Sequence, residues 1–135
     1  MIDLKKKPFF LDEEACQWVK KTLEGMSDEE KVGQLFCEIL WDRPGREPED
    51  LFEVVEPGGV MYRPFPGEKM HDFSERLQKK AKIPLLISCN LERGGSGGNG
   101  GLTNGTYVAS PMGCAATDDA QAAYDLAAVA CEEGG

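Results

Sequence analysis

Histidine is almost missing from this 135-residue chain, which has His71 alone. A His-rich metal site is therefore excluded, and His71, beside Asp72 inside a helical pattern, reads as a solvated helix residue rather than a base. Paired cysteines are missing as well. The five thiols (Cys16, Cys37, Cys89, Cys114, Cys131) are odd in number and never spaced C-x-x-C. That argues against a disulfide framework and a zinc site, and leaves small buried thiols as the reading. Long apolar runs are lacking too. Lys5-Lys6-Lys7 is followed only by Pro8-Phe9-Phe10-Leu11 before acids begin, too short for a signal peptide or a membrane span, so a cytoplasmic chain is expected. Positive charge is scarce, with 15 Lys and Arg against 24 Asp and Glu and a net charge of −9. Such a field repels nucleic acid and anionic membranes and favours a small neutral ligand. Nothing in the sequence asks for a cofactor.

What is present suits one domain with one core, at 41% hydrophobic residues. Ala15, Trp18, Val19 and Leu23 recur at helical spacing over 12–26. Ser27 and Glu30 form a capping box for a second helix, whose apolar stripe runs through Val32, Leu35, Phe36, Ile39 and Leu40. Trp41 to Pro48 is a loop rich in charge, proline and glycine. "GGVMYRP" (58–64) reads as a strand behind a Pro-Gly-Gly turn. Met70, Phe73, Leu77 and Ala81 mark one face of a helix that ends before Pro84. "IPLLISC" (83–89) is continuously apolar, as a strand covered on both faces would be. Asp118 and Gln121 cap a last helix with Ala123, Tyr124, Ala127, Ala128 and Cys131 along its buried side, stopped by Gly134-Gly135. The order is α-α-β-α-β-loop-α with parallel strands joined by a crossover. Two parallel strands do not complete a sheet, and the chain stops where another strand of a β/α repeat should begin. Residues 1–135 are thus expected to form a single incomplete domain.

The stretch "LLISCNLERGGSGGNGG" (85–101) admits two chemistries. Gly95-x-Gly97-x-x-Gly100 satisfies the dinucleotide pattern G-x-G-x-x-G, which works by letting a helix N-terminus meet the pyrophosphate at once. Here Asn104-Gly105 and Pro111 delay the next helix to about Asp118, its first turn is acidic, and no Lys-Ser or Lys-Thr follows. A nucleotide fits poorly. The alternative is the lip of a sugar pocket: Asn90 and Glu92 lie two apart at the C-terminal end of the strand, and glycines beyond them would let a bulky ring approach the backbone. The same residues also suit a purely structural part, with Asn90 closing an Asx-turn and Glu92 paired with Arg93 or another loop.

Four segments in register resemble the N-terminal domain of glycoside hydrolase family 3: "MSDEEKVGQLF" (26–36), "EPGGVMYRP" (56–64), "LQKKAKIPLLIS" (77–88) and the acid-glycine turn from Glu92 to Gly95. "SPMGCAATDDAQAAYDLAAVACEEGG" (110–135) is similar to the segment that follows that turn. The resemblance implies the leading part of a (β/α)8 TIM barrel that cleaves β-linked sugars, β-glucosides or N-acetyl-β-glucosaminides, with retention. It also implies that the aspartate nucleophile lies on a later strand, that His71 is not the acid/base histidine of the N-acetylglucosaminidase branch, and that no catalytic residue falls within 1–135. Asn90 stands where the family has a sugar-binding aspartate, and Arg93 separates Glu92 from Gly94-Gly95. Asn90, Glu92 and Arg93 are therefore the candidate substrate contacts. The chain is expected to be inert alone, and to bind β-linked carbohydrate with no nucleic acid or membrane partner. Its uncovered faces should favour self-association or a completing barrel segment. A non-catalytic sugar-binding module is the alternative.

Overall fold

The computed structural model describes residues 2–96 and 101–134. Its elements are α1 (Glu13–Gly25), α2 (Asp28–Gly33), β1 (Cys37–Leu40), a 3-10 turn (Pro48–Glu53), β2 (Gly59–Tyr62), α3 (Gly67–Lys80), β3 (Leu86–Cys89), α4 (Pro111–Ala116) and α5 (Ala120–Gly134). The three strands form one parallel sheet in the order β1-β2-β3. This is an α/β chain, as the alternation of periods predicts.

The capping box at Ser27 is present: its hydroxyl accepts from the Glu30 amide at 3.2 Å, and the Glu30 carboxylate accepts from the Ser27 amide at 2.8 Å. The helix it opens is far shorter than the stripe through Leu40 suggests. It ends at Gly33, after which the Leu35 and Phe36 amides donate to the Val32 and Gly33 carbonyls in a tightened last turn, and Gly33 passes so close to the approach to β2 that a Cβ there would lie 2.5 Å from the Glu56 carbonyl oxygen. Gln34 secures the crossing by donating its amide to the carbonyls of Glu56 and Pro57, both at 3.3 Å. The chain then extends, so Ile39 and Leu40 belong to β1 rather than to a helix. A short apolar run such as Phe36 to Leu40 does not distinguish a helix end from a strand by its pattern alone, and pairing with β2 is what makes it a strand.

The core lies between the sheet and α3. Val60, Tyr62, Phe65, Phe73, Leu77 and Leu85 form one buried cluster, with Leu40, Leu51, Phe52, Met70, Ala81 and Cys89 packed around it. Tyr62 meets Phe65 edge-on at 5.1 Å, and Phe65 meets Phe73 at 5.6 Å, geometries that suit the ring quadrupoles. The buried Tyr62 hydroxyl is satisfied by Ser74 Oγ at 3.0 Å, and burial holds its pKa above the ordinary phenol value. Gln78 on α3 grips β3 by accepting from the Leu85 amide and donating to the Leu85 carbonyl, each at 2.9 Å.

Three further expectations are corrected. β3 is not covered on both faces: Leu86 is 79% exposed and Ile87 41%. Pairing Gly59 with both Cys37 and Leu86 places Cys37, Ile39, Met61, Leu86 and Ser88 on the sheet face opposite α3, and of these all but the half-buried Met61 are exposed. The thiols follow the same geometry. Cys114 is buried, but Cys37 sits exposed on the open face and Cys131 exposed on α5. On α5, Ala123, Tyr124, Ala127 and Cys131 face outwards, while Ala130 is buried and Ala122, Leu126, Ala128 and Val129 are half-buried. Its first turn is held by Asp119, whose Oδ1 accepts from the Gln121 amide at 2.9 Å, while Asp118 takes a positive φ of 54°. Its stop at Gly135 lies outside the described residues. His71 is exposed on α3, as its position beside Asp72 suggests.

Candidate functional site

Parallel strands bring their C-terminal ends to one edge, the edge at which open α/β sheets and β/α barrels hold ligands. The register pairs Leu40 with Tyr62 and Tyr62 with Cys89, so the residues that leave the sheet next are Trp41, Arg63 and Asn90, one from each strand. By strand alternation these three share the parity of Ile39, Met61 and Ser88, and Trp41, past the strand end, also lines a cleft with Leu40, Leu51, Phe65 and Phe73. Trp41 and Arg63 are in contact, with the guanidinium carbon 5.5 Å from the centre of the indole ring.

Asn90 is half-buried at the tip of β3. Glu92 is exposed, and burial, joined by the Glu92 charge, pushes the Cys89 thiol up. Arg93 does not pair with Glu92. It donates from Nη1 to the Tyr107 hydroxyl at 2.7 Å and lies 5.8 Å from the centre of that ring, while its carbonyl accepts from the Val108 amide at 3.0 Å. β3 ends at Cys89, so the extended alternation that would aim Asn90 and Glu92 alike is not continued as a ladder.

The glycines after Glu92 have a packing role. Gly94 has φ +75°, and a Cβ there would stand 2.7 Å from the Thr106 carbonyl oxygen. Gly95 lies against Glu133 of α5, whose carboxylate accepts from the Thr106 amide at 2.9 Å and from the Thr106 hydroxyl. These bonds hold the Glu133 carboxyl below its ordinary pKa. Residues 101–106 are tied back across the sheet edge. Phe65 donates to Gly101 at 3.3 Å, Thr103 donates to Phe65 at 2.7 Å, and Asn104 Oδ1 accepts from the Gly67 amide at 2.8 Å. Around Gly94 and Gly95 the turn is thus closed by protein groups rather than by a row of amides aimed at one point. Gly97 and Gly100 of the dinucleotide pattern lie outside the described residues.

A cleft of about 420 Å³ opens at the other end of the sheet, lined by Trp18, Met26, Gln34, Glu56 and Lys82. It faces the strand N-termini and takes in none of Trp41, Arg63 and Asn90, so the candidate site remains at the C-terminal edge. Trp41 and Arg63 were not legible as site residues in the sequence. The signal that finds them is being the first residue past a parallel strand: for Arg63 it is present in the strand read at 58–64, and for Trp41 it becomes available only once β1 is recognised.

No family model matches the chain. Over 117 residues it is 40% identical to a β-N-acetylglucosaminidase/β-glucosidase of Cellulomonas fimi, a match covering 87% of this chain and 20% of that protein. It superposes on the β-glucoside phosphorylase BglX bound to 2FGlc with a TM-score of 0.87 and 59% identity, covering 94% of this chain and 23% of the other. A second structure of a β-glucoside phosphorylase BglX gives 0.79 and 55%, with 94% and 22% covered. The chain is a relative of these β-glucoside enzymes. The names of these relatives accord with the resemblance of the four segments to an enzyme family acting on β-linked sugars. The chain spans about a fifth of the length of the relatives it matches.

Proposed function

We propose that residues 1–135 are the N-terminal portion of a (β/α)8 barrel in a retaining enzyme acting on β-linked sugars, and that they supply ring contacts but no nucleophile. The observation that carries this reading is the row of Trp41, Arg63 and Asn90 at the C-terminal strand edge above an open face, in a chain similar to β-glucoside enzymes. Asn90 offers an acceptor and two donors to sugar hydroxyls, and Glu92 and Arg93 flank it at the lip. Retaining chemistry needs a nucleophile and a separate acid/base across the scissile bond, so a segment with ring contacts alone leaves the barrier almost untouched. The acceptor that releases the sugar is water in a hydrolase or inorganic phosphate in a phosphorylase. The higher identity to structures named phosphorylases, 59% against 40%, favours phosphate.

The test is a chimera in which this chain replaces the matching segment of the 59%-identical phosphorylase. The isolated chain should release no 4-nitrophenol from 4-nitrophenyl β-glucoside, whereas the chimera should, and added phosphate should yield glucose 1-phosphate. In the chimera, Asn90→Ala should lower kcat/KM by roughly ten- to a hundredfold, the cost of a lost hydrogen bond to a desolvated hydroxyl. A folded chimera that is inactive, or one indifferent to Asn90→Ala, rejects the assignment.

A further inference from the structure

We propose that Glu133, in the last turn of α5, is a positioning residue of the sugar site: its carboxylate clamps the turn that follows β3 and so fixes the segment carrying Asn90 and Arg93. This role presupposes the sugar site at Asn90 proposed above. α5 meets that segment at three points. Leu91, between Asn90 and Glu92, reaches Gly134 so closely that a Cβ on Gly134 would collide with its Cδ1. Gly94 lies beside Val129, whose Cγ1 would stand 3.4 Å from a Cβ there, and Gly95 lies against Glu133 itself. Val129 and Glu133 are four apart, one turn on the same helix face. Asn90, Glu92 and Arg93 thus each adjoin a residue that rests on α5.

Glu133 supplies the polar part of this backing. Its Oε2 accepts from the Thr106 amide at 2.9 Å, and its Oε1 accepts from the same amide at 3.1 Å and from the Thr106 hydroxyl. The Thr106 carbonyl accepts in turn from the Ser96 amide at 3.1 Å, and Val108 donates to the Arg93 carbonyl at 3.0 Å, so 93–96 and 106–108 are tied together. Tyr107, between those ties, holds the Arg93 guanidinium through its hydroxyl at 2.7 Å. A carboxylate is an unfavourable choice for the last turn of a helix, where the free carbonyls form the negative end of the dipole, and α5 has no basic residue there to offset it. A residue placed against local preference marks a tertiary task, and the clamp on Thr106 is that task. Its precision matters because a ring contact loses its match once it drifts by roughly 0.5 Å.

The experiment is a double-mutant cycle in the chimera described above. Glu133→Ala should lower kcat/KM for 4-nitrophenyl β-glucoside about tenfold, and Glu133→Gln, which keeps one acceptor oxygen, should recover part of the loss. With Asn90 already alanine, the cost of Glu133→Ala should fall to about threefold or less, because the main group it positions is gone. A role in stability alone would cost the same in both backgrounds. Thr106→Val removes the hydroxyl and keeps the carboxylate; it should reproduce part of the loss with the same dependence on Asn90, and it carries the test if Glu133→Ala does not fold by far-UV circular dichroism. In the ¹⁵N-labelled full chain, Glu133→Ala should shift the Asn90 side-chain amide and the Arg93 Nε–H and speed hydrogen exchange at the Thr106 amide. If Asn90→Ala costs activity while the Glu133 and Thr106 variants cost nothing, or cost as much without Asn90 as with it, the positioning role is overturned and the sugar site stands. If the folded chimera is indifferent to Asn90→Ala, the sugar site is lost and the positioning role with it.

Discussion

Asn90, proposed as a sugar contact, differs by one heavy atom from the aspartate that the resemblance implies at its position. An aspartate accepts charge-assisted hydrogen bonds from two hydroxyls, whereas the amide must present an oxygen to one and an N–H to another. Asn90→Asp should therefore tighten glucoside binding by about 1 kcal/mol, readable as a several-fold lower Kd in a titration with methyl β-glucopyranoside; unchanged or weaker binding would mean that the neutral amide is the matched group. Gly94 offers a second test at this scale. Its φ of +75° and the 2.7 Å approach of the Thr106 carbonyl leave no room for a Cβ. Gly94→Ala should cost about 1–3 kcal/mol in urea denaturation, and should loosen the 93–108 turn that carries Arg93.

At the scale of elements, α3 is the best supported by its own sequence. Phe73 and Leu77 at helical spacing are the residues it buries, so Leu77→Ala should cost about 2–5 kcal/mol and lower Tm by several degrees or more. The second device on α3 is Arg76, which reaches Glu49 in the 3-10 turn through Nε at 2.7 Å and Nη2 at 2.6 Å, and also Glu47 at 2.6 Å. The Arg76 guanidinium holds the Glu49 carboxyl below its ordinary value. A depressed carboxylate contributes stability above its unfolded pKa and loses it as pH falls through the folded one. Thermal melts should accordingly show Tm falling from pH 5 towards pH 3 more steeply in the native chain than in Arg76→Ala. Parallel curves would remove the clamp from the stability argument. The same scale shows why reading the sequence succeeded unevenly. α1 and α3 carry a full helical period within their own residues, and β2 and β3 are short apolar runs bounded by glycine or proline, so their type is legible locally. β1 is not, because its four residues continue the apolar stripe of α2 and become a strand only by pairing with β2 some twenty residues on, and the 3-10 turn and α4, at six residues each, are too short to show a period. The edge row inherits that gap: Asn90 follows a legible strand, whereas Trp41 follows the one strand that sequence pattern assigns to a helix.

For the whole molecule the open sheet face is the feature with consequences. Ile39 at 44% and Leu86 at 79% exposure stand on it, with Leu35 at 84% close by in sequence at the entry to β1, and both outer edges of the sheet are unpaired among the described residues. A net charge of −9 keeps chains apart at long range, but at physiological ionic strength that repulsion is screened within about 8 Å, and apolar contact then decides. The isolated chain should therefore self-associate in a concentration-dependent way in sedimentation velocity, and more so in high salt. Leu86→Glu should shift it towards monomer. Leu86→Lys separates the causes: it reduces the net negative charge by one, so if charge governed association it would promote it, whereas if the apolar face governs it should disperse the chain as Glu does. Far-UV circular dichroism keeps the comparison to folded variants. Association left intact by both substitutions would move the sticky surface away from this face, and with it the argument that further strands are what the face was built to meet.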